Sequence, residues 1–238
     1  MSEVSRLSGV FFEPGKTFAD IAERPRWIVP LIIGILFSAG YLYAFSSHVG
    51  WEPYLHRIMD NNAQVQRLPP EQQQRAFDMQ SRIIPIASMV TVVVGAPVIL
   101  LLWAAIALGI AKGLLGAPIR FKQAFASLCY AGLPRVIYAV LATIVMFLTK
   151  DPESFDVRNG FFSNPGAFMD PLTSSKFLYT LASALDVFTI WVMLLAAMGL
   201  KAAGGKRISF GGAFFAVALP WAVLVFINGG LAAAGLTG

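Results

Sequence analysis

The stretch Ile83–Ala111, IIPIASMVTVVVGAPVILLLWAAIALGIA, decides the fold, because it runs 29 residues without one charge. A helix rising 1.5 Å per residue needs only about 20 apolar residues to cross a ~30 Å hydrocarbon core. Four more such stretches accompany it, at Trp27–Ser46, Ser127–Leu148, Phe177–Leu200 and Phe210–Ala234. Backbone groups in lipid must bond within their own segment or in a closed barrel, and no strand-like alternation suggests a barrel. The chain therefore reads as an all-α, polytopic membrane bundle of five transmembrane helices, one domain over residues 1–238.

Composition agrees. Hydrophobic residues make up 57% of the chain and charged ones 13%, which leaves no material for a separate soluble domain. The net charge of +5 does not point to nucleic acid, since Lys and Arg form no block and instead flank the spans. With the N-terminus inside, eleven of the 18 Lys and Arg residues fall on the inner side, although the outer loops are longer. The positive-inside rule then places the N-terminus inside and the C-terminus outside. The 26 mostly polar residues before the first span lack a cleavable signal's basic tip and short apolar run. The first span is therefore expected to stay as a signal-anchor.

The N-terminal segment carries Phe11, Phe12, Phe18 and Ile21 beside Lys16, Arg24 and Arg26. Thr17 followed by Asp20 resembles a capping box, so a short interfacial helix is expected from there to Pro25. Its aromatic residues either meet the inner leaflet and its partners or pack beneath the bundle. The first outer loop, Ser47–Arg82, should be solvated, with a helix from Pro69-Pro70 running into the second span. His48, Glu52, His56 and Asp60 recur at every fourth position, a metal-like spacing on a helix. Pro53 would leave His48 outside regular helix, so these are expected to be loop residues and no metal is expected. The second outer loop, Thr149–Lys176, should be irregular and lie on the membrane surface.

A weak repeat organises the rest. Ile119-Arg120-Phe121-Lys122-Gln123-Ala124-Phe125 precedes Leu133-Pro134, and Ile208-Ser209-Phe210-Gly211-Gly212-Ala213-Phe214 precedes Leu219-Pro220. Two helical hairpins running the same way, a parallel repeat, would give this pattern. Pro97, Pro134 and Pro220 each remove a backbone donor and are expected to kink their helices. Ala105, Gly109 and Gly113 form a small-residue face that allows a homodimer.

Asp186 lies about ten residues into the fourth apolar stretch, where a charge is costly and calls for a protein or water partner. Thr189 shares its face, and Asn228 in the fifth span completes a candidate intramembrane polar site. Arg135 just past Pro134 is a candidate lipid-phosphate contact, or a cation snorkelling from the inner end of its span. Cys129, the single cysteine, reads as an apolar filler. Catalysis finds no support: only one carboxylate lies at depth, both histidines sit in an outer loop, and no phosphate-cradling Gly-rich motif occurs. No cofactor is expected.

Phe12-Glu13-Pro14-Gly15-Lys16-Thr17-Phe18, then Arg26-Trp27 and Pro30, then Tyr130-Ala131-Gly132-Leu133-Pro134, resemble the bacterial branch of the Yip family. These are five-span proteins named for Ypt/Rab-interacting proteins of the eukaryotic secretory pathway. The resemblance covers nearly the whole chain and implies the fold, with no catalytic signature. It implies a non-enzymatic membrane protein that binds protein or lipid partners and organises the bilayer. Phe11, Phe12, Phe18 and the two inner Ile-x-Phe-x-x-Ala-Phe turns would be the contact surface. The rival expectation is a small-solute or ion transporter or channel built on Asp186.

Overall fold

The computed structural model describes residues 1–60, 62–155, 157–170 and 173–235. Among these the fold is all helix with five helices long and apolar enough to cross a membrane. In chain order the α-helices are α1 (Glu3–Phe12), α2 (Pro14–Glu23), α3 (Ile28–His48), α4 (Trp51–Asp60), α5 (Ala63–Gln66) and α6 (Pro70–Val90). They continue as α7 (Ala96–Gly113), α8 (Phe121–Ala131), α9 (Pro134–Leu148), α10 (Lys176–Ala184), α11 (Val187–Gly204) and α12 (Phe210–Ala233).

The second span is longer than hydropathy alone shows. α6 and α7 join through a π-helical turn, Thr91–Gly95, into one 44-residue rod. The turn ends where the Ala96 amide donates to the Thr91 carbonyl five residues back, and Pro97 follows in the first turn of α7. Inside this continuous rod Pro97 lacks the amide that would bond back across the π turn, so turn and proline together mark the irregularity. Pro134 stands at a helix boundary. α8 ends at Ala131 and Pro134 opens α9, so the chain breaks and restarts. Pro220 stays inside a continuous helix, α12, as Pro85 does in α6.

The fourth span differs most. The apolar run from Phe177 is not one helix, because α10 stops at Ala184 and α11 starts at Val187. Asp186 is the N-cap of α11: its Oδ1 accepts the Thr189 amide at 3.0 Å. An aspartate in extended backbone geometry offers a carboxylate to an orphan amide, and that outcompetes continuation of the helix.

Small side chains let the spans cross closely. Ala104, Ala107, Ala111, Ala124, Ala196, Ala197, Ala213 and Ala216 are buried in one core. Gly199 of α11 meets Ser127 of α8 and Phe18 of α2. Tight backbone approach is how helices associate where lipid removes any hydrophobic drive between them. Ala105, Gly109 and Gly113 are instead exposed on α7.

The N-terminal segment is two helices, not one. Pro14 starts α2, and Thr17 lies within it with its hydroxyl donating to the Glu13 carbonyl. This helical hairpin packs onto α8 and α11. Phe18 is fully buried, Phe11 stacks edge-on against Trp191 at 5.7 Å, and only Phe12 is exposed, at 84%. The expected contact surface Phe11–Phe12–Phe18 therefore does not exist as one face. Arg6, 1% exposed, holds the hairpin shut: it reaches Asp20 at 2.6 Å and Glu3 at 3.5 Å. Tyr130 of α8 donates to Glu3 at 2.5 Å, and the Gln123 amide donates to the Ala22 carbonyl at 2.8 Å.

At the other end, Phe45, Val49, Met146 and Phe155 form a second cluster with Trp51 and Tyr54. Trp51–Asp60 is helix rather than open loop, with Leu55 and Met59 buried. His48 stacks near Phe147 and His56 on Phe77, and among the described residues no three His, Cys, Asp or Glu side chains come together. The second outer loop is irregular, with short 3-10 turns, and packs on the protein: Phe155, Ser163 and Asn164 are buried.

Candidate functional site

The two repeated turns are built alike. Ile119 and Ile208 are buried, Phe121 and Phe210 open α8 and α12, and each stacks on the phenylalanine four positions on. Both helices then rise beside α7 and α11 and bound a cavity of about 500 Å³.

The cavity walls come from α3, the π turn, α7, α8, α9, α11 and α12, and they are mostly apolar, with Leu31, Leu100, Val136 and Met193 among them. Four polar side chains interrupt this surface: Ser38, Arg135, Thr189 and Asn228. Three of these were legible as candidate site residues, and the fold brings them together. Ser38, Trp103 and Trp221 complete the lining without any local motif to announce them.

Arg135 lies deeper than the sequence implies. The apolar span begins at Phe121 and ends at Leu148. Arg135 follows Phe121 by fourteen positions and precedes Leu148 by thirteen, beside the interruption between α8 and α9. A side chain so placed stands midway along the helical run, away from either of its ends. It is exposed to the cavity, and it is the one charged residue in the lining. A cation at such depth costs about 2.5–3.5 kcal/mol on insertion scales unless something offsets it.

No side chain offsets it directly. Among the described residues, Arg135, Thr189, Asn228 and Ser38 make no side-chain hydrogen bond or ion pair. The field of Asp186 reaches Arg135, yet that carboxylate is already engaged. One oxygen caps α11, and the other accepts the Ser163 hydroxyl. Asp186 does not line the cavity, so the proposed cluster of Asp186, Thr189 and Asn228 divides into a structural cap and two cavity groups. Asp186→Asn should preserve the cap and the melting temperature in detergent, whereas Asp186→Ala should lower stability by about 1 kcal/mol. A proton relay would show the opposite order, with the amide variant damaged most.

The lining contains no carboxylate and no histidine, so no general base faces the Cys129 thiol or the two hydroxyls. The site can bind and orient; it holds one cation and neutral donors in an apolar frame.

The family model of the Yip1 domain matches residues 8–231. No curated protein and no solved structure matches the chain.

Proposed function

This chain belongs to the Yip1 domain family, and from that premise we propose that it is a non-enzymatic membrane protein that binds lipid and protein partners and organises the bilayer around them. The observation that carries this reading is the cavity: sized for part of a lipid, walled by apolar side chains, and lined among the described residues by no carboxylate or histidine. Protein partners would meet the inner rim, where Phe121 and Phe210 are 42% and 43% exposed at the starts of α8 and α12. The outward Ala105, Gly109 and Gly113 face suits a second copy. The proposed setting is a bacterial cytoplasmic membrane with the N-terminus inside.

Retention of lipid tests the reading. After washes that strip annular lipid, the purified chain should keep roughly one phospholipid per cavity. Gly34 lines the cavity, and a Cβ added there meets no atom within 4 Å, so Gly34→Phe should fill the space without breaking the helix packing. The variant should lose the retained lipid and keep its melting temperature. A wild-type protein that comes through the washes bare overturns the proposal.

A further inference from the structure

We propose that the cavity selects an anionic phospholipid, with the lipid phosphate on Arg135 and one acyl chain along the apolar wall. This deepens the lipid-holding reading and rests on it. Three observations converge. Arg135 is the sole charge in the lining and has no ion-pair partner among the described residues. It occupies the first turn of α9, midway along the helical run Phe121–Leu148 and away from either of its ends. Thr189 and Asn228 present further unengaged polar groups to the same space.

The chemistry of recognition follows. A guanidinium offers a planar fork of donors to two phosphate oxygens, and pairing neutralises a charge that lipid tolerates poorly. A zwitterionic headgroup brings its own cation beside Arg135, and no carboxylate lines the cavity to receive it. An anionic headgroup brings none. The remaining wall, including Leu100, Val136, Met193 and Leu224, meets hydrocarbon.

The test uses the full chain in a neutral detergent, titrated with phosphatidylglycerol and with phosphatidylcholine of identical acyl chains. Bound lipid is counted by native mass spectrometry. Wild type should hold phosphatidylglycerol about tenfold more tightly, the value of one charge-assisted contact. Arg135→Gln should bring phosphatidylglycerol down to the phosphatidylcholine level, with phosphatidylcholine binding retained as proof of folding. Arg135→Lys should keep part of the preference, and millimolar inorganic phosphate should leave the bound lipid in place. Equal retention of the two lipids by wild type overturns the headgroup assignment while the lipid-holding reading stands. A preference that survives in Arg135→Gln removes Arg135 from the site. Displacement by inorganic phosphate would mark a free-anion site instead. Failure of wild type to hold either lipid sinks both this inference and the reading beneath it.

Discussion

Asp20→Ala is expected to destabilise the docked N-terminal hairpin by about 3–5 kcal/mol, the cost of stranding a buried charge. The stranded group is Arg6, whose side chain is 1% exposed and whose Nε and Nη2 both lie 2.6 Å from Asp20 Oδ2. Without the Asp20 carboxylate, Glu3 at 3.5 Å is the one carboxylate left to Arg6, beside the backbone carbonyl of position 20 at 3.4 Å, and the Met1 ammonium loses its 2.8 Å partner. Thermal melting and protease access to residues 1–23 would both register the change. An unchanged melt together with unchanged protection would show that Arg6 is held by something else. The same cluster sets a pH dependence. The Asp20 carboxyl is held below its usual range, first by the hydrogen bond from the N-terminal ammonium and then by Arg6, against burial that would raise it. Burial, the largest influence, would lower the Arg6 guanidinium, but the hydrogen bonds to Asp20 and Tyr130 and the charge of Asp20 together leave it raised. A carboxyl depressed in the folded state contributes its full stability above the unfolded value of about 3.9 and loses it as pH falls through the folded value. The hairpin should therefore stay docked at pH 5 and loosen only below about pH 4.

Gly199→Ala is the second large effect, with an expected loss of about 1–3 kcal/mol, and Gly199→Leu should be worse. A Cβ on Gly199 would stand 2.5 Å from the Ser127 Cβ, 2.8 Å from its Oγ and 3.1 Å from Phe18 Cδ1. Relief requires moving α8, α2 or both, since a Cβ cannot rotate away. Gly109→Ala is the matched control. Its added methyl meets no atom within 4 Å, so higher helix propensity should leave stability unchanged or raise it by about 0.5–1 kcal/mol. Melting curves in one detergent compare the two directly. Equal effects would mean that the close crossing of α8 and α11 does not exist in the folded protein.

Hydropathy is a local property, and so the five spans and the all-helical class were legible in the sequence. The break at Leu185-Asp186 was not, because counting apolar length treats a single Asp as an intruder in a span. In the fold that Asp is what starts the helix. The depth of Arg135 was hidden for a related reason: Lys122 and Gln123 look like loop residues, yet both lie in α8. Gln123 satisfies its amide on the Ala22 carbonyl, 101 residues away, a contact no sequence window contains. The N-terminal aromatics were visible as a group, but which of them is buried depends on Gly199 and Trp191 of a distant helix. Of the cavity, Arg135, Thr189 and Asn228 stood out as polar residues in apolar runs. Ser38, Trp103 and Trp221 are unremarkable along the chain and become neighbours only when three separate helices converge.

The tie between Tyr130 and Glu3 joins residues 127 positions apart. During translation the first twenty-odd residues emerge long before the α8 surface that receives them has been synthesised. They must wait, a charged and partly greasy tether, while the two intervening spans, α3 and the α6–α7 rod, are made and inserted. Closure of the amino-terminal latch is thus a late event in biogenesis. Any chaperone or nascent-chain factor that recognises Phe18 or Ile21 has its opportunity in that interval, before the finished bundle conceals them.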